Sequence, residues 1–264
     1  MAPQMPWLVL AVLMASVFAR PAQAAITSTT TGTFSGGDPG EGLDLYQPAG
    51  NYLYALNFGK TTAGSITAGN VTFSQTKVTA PQALPAGVTV TAPGAVDFND
   101  YPSNFFVLEY GNTANDNNLE TIMKANSQGF PLTVTLALGA LPVGTPYTLQ
   151  MMFIDDFYAS TRLTDIKVDN TTAIAAFNQK ATISAAGGYN LTTGGSENET
   201  LSKGAVVTVA GTTIGSSLTV VFAQSSGSAN GPLVGALTMA VIPEPTSLAL
   251  LGLGGLLAIL NRRR

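Results

Sequence analysis

The chain has 264 residues, a formal net charge of −4, and neither histidine nor cysteine. Those absences exclude disulfide bonds, thiolate metal sites and every catalytic pair built on histidine. Charged residues make up only 10% of the sequence, against about 25% in an average protein. The basic residues form no cluster outside the C-terminus, so the sequence predicts no nucleic-acid partner. We expect a protein that is not an enzyme and needs no cofactor.

The first 24 residues have the pattern of a secretion signal peptide. Residues 7–18 form an uninterrupted apolar run, which suits a signal-peptide core and is too short to cross a bilayer comfortably. Ala22 and Ala24 then satisfy the small-x-small rule of signal peptidase, so Ala25 is the predicted first residue after cleavage. No Lys or Arg precedes the run, which departs from the usual pattern. A short N-terminal membrane anchor is the alternative.

The central part of the sequence predicts an all-β domain. Residues 25–50 are rich in Thr, Ser and Gly and indicate an extended linker. Over residues 51–242, short apolar runs recur between Gly and Pro turns, which is typical of a jelly-roll-like antiparallel β-sandwich. The predicted strands are 52–58, 70–73, 87–91, 105–108, 132–138, 147–154, 163–168, 181–184, 205–209, 218–222 and 233–242.

Two stretches of this domain allow more detailed predictions. Residues 132–138 alternate between apolar and small polar side chains, whereas residues 147–154 are apolar on both faces. The Gly- and Pro-rich residues between them favour a hairpin. One helix is predicted at 119–126, with Asn118 or Asp116 near its N-cap.

Aromatic side chains beside oxygen ligands mark the candidate carbohydrate-binding residues. Tyr101 stands in a stretch of Asp, Asn and Phe, and Asp155, Asp156 and Tyr158 follow the strand at 147–154. Flat rings can stack on sugars while carboxylates and amides bind the hydroxyl groups. Ordinary solvated turns are the alternative at both places.

Acidic residues suggest two further sites. The polar stretch 112–118, and the pair Asp155 and Asp156, could bind Ca²⁺ through oxygen atoms, but 112–118 lacks the residue order of a calcium loop. A polar loop that caps the helix is the alternative for 112–118. Glu109 and Glu120 could form a glycosidase pair only if the fold brought them together.

The C-terminus has three parts in a fixed order. Pro243, Glu244 and Pro245 come first, an apolar run over residues 248–260 follows, and Arg262, Arg263 and Arg264 end the chain. The run is about 20 Å long as a helix, thin for a membrane core of about 30 Å. The arginines would stay in the cytoplasm by the positive-inside rule. A buried core helix is the alternative.

This order resembles the PEP-CTERM sorting signal of Gram-negative bacteria, here residues 243–264. The resemblance implies recognition by an exosortase, cleavage near Pro-Glu-Pro, and release or transfer of residues 25–242 to the cell surface. The membrane would hold the protein at least transiently, through the C-terminal helix. Proteins with this signal are associated with extracellular polysaccharide.

The body looks like the malectin or galactose-binding-like β-sandwiches. Leu56-Asn57-Phe58-Gly59 resembles their opening strand and turn. Residues 141–153 resemble their central hairpin, 162–168 the partner strand that follows, and 218–222 with 231–239 the closing pair. The resemblance implies non-catalytic polysaccharide binding through loops at one edge of the sandwich. A structural or adhesive protein without glycan binding and a secreted hydrolase that relies on carboxylates are the alternatives.

Overall fold

The computed structural model describes residues 26–47, 51–60, 62–80, 84–98, 110–128, 131–154, 162–187, 203–228 and 230–242. These residues form fourteen strands and two helices, in the order β1 (Ile26–Phe34), β2 (Tyr52–Asn57), β3 (Gly64–Ala68), β4 (Val71–Gln75), β5 (Val88–Thr91), β6 (Val96–Phe98), α1 (Ala114–Lys124), β7 (Asn126–Gln128), β8 (Leu132–Ala137), β9 (Pro146–Phe153), β10 (Leu163–Val168), β11 (Thr171–Asn178), α2 (Gln179–Ala185), β12 (Gly204–Thr212), β13 (Ser217–Gln224) and β14 (Leu233–Val241).

The strands build two sheets, which confirms the predicted all-β sandwich. The larger sheet has nine strands in the order β1-β12-β9-β14-β2-β4-β3, with β7 on β14 and β6 on β7. The smaller sheet has five strands in the order β11-β10-β13-β8-β5. Every pairing is antiparallel except that of β2 with β4, which is parallel. The predicted antiparallel sandwich is therefore confirmed, with this one parallel pairing as an exception.

Alternating side chains fill the space between the sheets. In β8, Leu132, Val134 and Leu136 are buried, and the residues between them are half-exposed. They meet residues such as Leu149 and Met151 of the larger sheet in one apolar cluster. Burial of this kind stabilises the fold by about 25 cal/mol per Å² of apolar surface.

A second apolar core lies on the outer face of the larger sheet. Helix α1 packs on this face through Leu119, Ile122 and Met123, and Leu43 and Leu45 join them from the segment after β1. Strands β9 and β14 are consequently covered on both faces, and every residue of β14 except Val241 is buried. The molecule therefore has three layers over part of its area.

Sheet membership overturns the predicted hairpin. Strands β8 and β9 lie in different sheets, and so do β13 and β14, the predicted closing pair. Strand β10 pairs with β11 and β13, so it is no partner of β9. The cause is the second core. A strand that is apolar on both faces, as β9 is, must lie in a sheet that is covered on both sides.

Three further expectations need correction. Residues 181–184 belong to α2, where Asn178 caps the helix by accepting a hydrogen bond from the Ala181 amide. Helix α1 starts earlier than predicted, after the N-cap Thr113. Residues Ile26–Phe34, expected in a linker, pair with β12 along the edge of the larger sheet.

The predicted strand 105–108, the signal helix and the C-terminal membrane helix lie outside the described residues. Within the described ranges, no helix is long and apolar enough to cross a membrane.

Candidate functional site

The residues that the sequence singled out are mostly not described by the structure. Tyr101, Asp155, Asp156 and Tyr158 lie outside the described ranges, as do the signal-cleavage residues and the sorting residues from Pro243 onward. Their roles stay predictions.

A polar groove opens on the outer face of the larger sheet, next to the second apolar core. Gln150 and Thr148 of β9 point to the same face as Met152, because side chains alternate along a strand. Thr238 and Ala240 do the same in β14. The groove encloses about 140 Å³ and is lined by Asp44, Gln47, Tyr52, Thr148, Gln150, Thr238, Ala240, Val241 and Ile242.

Hydrogen bonds fix one wall of the groove. The Tyr52 hydroxyl donates to the Asp44 carbonyl oxygen, and the Gln47 side-chain amide donates to the Asp44 carboxylate. Burial, reinforced by the Asp44 charge, raises the pKa of Tyr52 to about 12. Tyr52 is therefore neutral at physiological pH, and the carboxylate of Asp44 is exposed.

The floor of the groove holds polar groups in an unusual position. Gln150 is 7% exposed and Thr238 is 1% exposed. Within the described part of the chain, neither side chain has a hydrogen-bond partner. Neither is among the fully buried polar atoms that lack a partner, so both keep some contact with solvent through the groove. The groove thus presents donors and acceptors that the described protein groups leave unused.

An acidic cluster forms the second candidate site. Carboxylate oxygens of Asp38, Glu41 and Asp116 all lie within 4.8 Å of one another. The Gly37 amide donates to Asp116 Oδ1 at 2.9 Å, and the Asp38 amide donates to Glu41 Oε2 at 2.7 Å. A side chain at Gly36 would meet these carboxylates, since a Cβ there would lie 2.0 Å from Glu41 Oε2.

The electrostatics of the cluster follow from this crowding. Burial, with the nearby charges of Asp116 and Asp38, raises the pKa of Glu41. A hydrogen bond from Asn115, 2.8 Å to Asp38 Oδ1, lowers the pKa of Asp38. These oxygen donors match Ca²⁺ in kind, but both oxygens of Asp116 already accept hydrogen bonds from the protein. The contacts shown join the segment after β1 to the start of α1.

Glu120, the remaining acidic candidate, makes contacts within the protein. Glu120 is 6% exposed, accepts a hydrogen bond from the Tyr110 amide at 2.9 Å, and lies 3.9 Å from Lys124 Nζ. Glu109 lies outside the described residues, so the glycosidase pair stays untested.

Sequence reasoning missed most of both sites. Asp38 and Glu41 stand in a Gly-rich stretch that was assigned to a linker, and their spacing resembles no metal motif. Asp116 was considered both as a Ca²⁺ ligand and as a cap. The capping role is confirmed, since Thr113 and Asp116 form a capping box. Gln150 and Thr238 stood in strands without any signal of a site.

The sandwich is similar to several solved structures at low sequence identity. The ANXUR2 extracellular domain from Arabidopsis thaliana is 10% identical, over 72% of this chain and 41% of that one, with a TM-score of 0.49. The ANXUR1 extracellular domain from the same plant is 16% identical, over 80% and 53%, with a TM-score of 0.47. A family 35 carbohydrate binding module from Clostridium thermocellum is 11% identical, over 58% and 98%, with a TM-score of 0.29.

This chain thus spans about half or less of the two plant structures that it matches. No curated protein matches the sequence. Residues 241–264 match the family described as the PEP-CTERM protein-sorting motif. The C-terminal tail identified from its three ordered parts is therefore a PEP-CTERM sorting motif, which marks a secreted protein directed to the cell surface.

Proposed function

We propose that the protein is a non-catalytic component of the cell envelope or extracellular matrix of a Gram-negative bacterium, which an exosortase processes and whose sandwich binds polysaccharide. The observation that carries the proposal is the match of residues 241–264 to the sorting motif. Signal peptidase removes residues 1–24, and the C-terminal helix holds the precursor in the inner membrane until cleavage.

The position of the two chain ends supports this route. The last strand ends at Val241, whose amide donates to the Asn51 carbonyl at 2.7 Å, and the Ile242 amide donates to Pro146 at 3.0 Å. Pro243 follows at once, so the cleavage motif begins where the hydrogen-bonded sheet ends. At the other end of the domain, Ile26 of β1 pairs with Gly211 of β12. Strand β12 pairs in turn with β9, and this pairing ends at Pro146. Ile26 and Val241 thus lie at the same end of the strands of the larger sheet.

A binding role without catalysis agrees with the chemistry at hand. The sequence has no histidine or cysteine to act as a base or nucleophile. The described groove offers neutral polar groups and the carboxylate of Asp44 in a small cavity, which suits recognition of hydroxyl groups. A structural or adhesive protein without glycan binding is the outcome that a negative binding experiment would favour.

Two measurements test the proposal. Intact-mass spectrometry of the protein from cells with and without the exosortase gene should show loss of the C-terminal arginines only when the enzyme is present. An unchanged Arg262–Arg264 tail in normal cells would contradict the sorting route. Sedimentation of the full-length chain with extracted envelope polysaccharide tests the binding role, and absence of co-sedimentation would remove it while leaving the sorting route in place.

A further inference from the structure

We infer that the groove on the outer face of the larger sheet binds one ring of a neutral polysaccharide, with Gln150 and Asp44 as its main hydrogen-bonding groups. This inference rests on the proposed polysaccharide-binding function and names its site. The starting point is Gln150, a side chain 7% exposed that lines the groove and has no hydrogen-bond partner among the described residues.

The position of Gln150 in the sheet is one that an apolar side chain would ordinarily take. Strand β9 lies between β12 and β14, and its next outward side chain is the buried Met152 of the second core. An apolar residue there would continue the core. A sugar hydroxyl group can accept a hydrogen bond from the side-chain amide nitrogen of Gln150 and donate one to its side-chain oxygen. Binding of such a hydroxyl group explains why the residue here is a glutamine.

The lining defines the chemical class of the ligand. Gln150, Gln47 and Thr238 offer both donors and acceptors, as sugar hydroxyl groups require. The only charged group in the lining is the Asp44 carboxylate, which disfavours an anionic ligand. Ala240 and the adjoining Val241 and Ile242 offer apolar contact for the C–H groups of a ring.

The size and surroundings favour a polymer over a free small molecule. A cavity of about 140 Å³ is smaller than the 300–1,000 Å³ that encloses a drug-sized ligand, so it accommodates one ring. Polar residues continue from it across the sheet in register, because Gln150 pairs with Thr208 and Thr208 pairs with Thr30. Thr208 is half-exposed and Thr30 is exposed, so the neighbouring sugar units can lie along this row.

The experiment measures the affinity of the full-length chain, purified in detergent, for neutral hexasaccharides: cellohexaose, xylohexaose, mannohexaose and the hexamer of N-acetylglucosamine. Gln150→Leu keeps the volume and removes the amide, and Asp44→Ala removes an exposed carboxylate. Thr219→Val, on a half-exposed position of the smaller sheet, is the matched control. Circular dichroism checks the fold of each variant.

We expect the wild type and Thr219→Val to bind at least one hexasaccharide equally, and Gln150→Leu and Asp44→Ala to bind it at least tenfold more weakly, which corresponds to about 1.4 kcal/mol. If all four proteins bind within twofold of one another, the site lies elsewhere and only the groove assignment is overturned. If the wild type binds neither the hexasaccharides nor extracted envelope polysaccharide, both the groove assignment and the polysaccharide-binding function fail.

Discussion

Asn57 is the buried polar residue whose replacement should change stability most informatively. Its side chain is fully buried, and its amide nitrogen shares its two hydrogens among the carbonyl oxygens of Ile122 at 2.7 Å, Ala125 at 3.0 Å and Gly235 at 2.9 Å. Ile122 lies in the last turn of α1 and Ala125 is its C-cap, and the final carbonyls of a helix have no partner inside it. Gly235 lies in a bulge of β14. One side chain therefore connects the helix to the sheet.

Asn57→Asp keeps the shape and replaces the donor by an acceptor. The carbonyls of Ile122 and Ala125 lose their donor, at about 1–3 kcal/mol each, whereas Gly235 keeps the Phe58 amide at 2.9 Å. We expect a loss of about 4 kcal/mol at pH 7, from a total of about 5–15 kcal/mol for a typical domain. The melting temperature should then fall by about 8–16 °C for a domain of this size.

The pH dependence of the stability of Asn57→Asp tests whether the new carboxylate causes the loss. An aspartate facing carbonyl oxygens in a buried site has its pKa raised above the ordinary value of about 3.9. The variant then binds more protons when folded than when unfolded, so its stability falls as pH rises above about 4. Urea unfolding followed by circular dichroism at pH 4 and pH 7 measures this, with Asn117→Asp on the exposed side of α1 as the control. A loss below 1 kcal/mol, or the same loss at both pH values, would refute the role assigned to Asn57.

Three other substitutions test the packing around α1, each by thermal unfolding. Asp116→Ala removes the capping box and leaves the buried Gly37 amide unpaired. It should therefore lower the free energy of unfolding by about 2–4 kcal/mol. A loss no greater than that of the exposed control Asn117→Ala would contradict this. Because the folded state raises the pKa of Glu41, wild-type stability should decline as pH rises above the ordinary value of 4.5. Glu41→Gln should make this decline smaller and leave the part that the raised pKa of Asp169 contributes; parallel pH curves would be the contrary result. Gly59→Ala should destabilise the protein by about 1–3 kcal/mol more than Gly94→Ala, because Gly94 also has a positive φ but has open space around it. Equal losses would contradict the close approach of Gly59 to the backbone of Asn126.

The strands were predictable where their pattern was local. The alternation in β8 and the two-sided apolar run in β9 are written in consecutive residues. Strand β1 was missed because its Thr-rich sequence has no apolar alternation, and it is held by pairing with β12. The run 181–184 is too short to distinguish a strand from a helix, and the Asn178 cap decides in favour of the helix.

The sites were less predictable because their residues come from distant segments. The groove takes Asp44 from the segment before β2, Gln150 from β9 and Thr238 from β14. These residues meet only because β9 and β14 are neighbours in the larger sheet. That pairing depends in turn on the second core, which no local pattern indicates.

The stretch Leu56-Asn57-Phe58-Gly59 shows how a weak sequence resemblance acquires a physical meaning. Leu56 and Phe58 are fully buried in the core between the sheets, while Asn57 binds the end of α1. Gly59 has φ +85°, and a Cβ on it would lie 2.0 Å from the Asn126 carbonyl oxygen, so only glycine lets the chain pass the residue that follows the helix. The four residues thus position α1 on the outer face of the sheet. Helix α1 covers one part of that face, and the strip with Gln150 lies beside it.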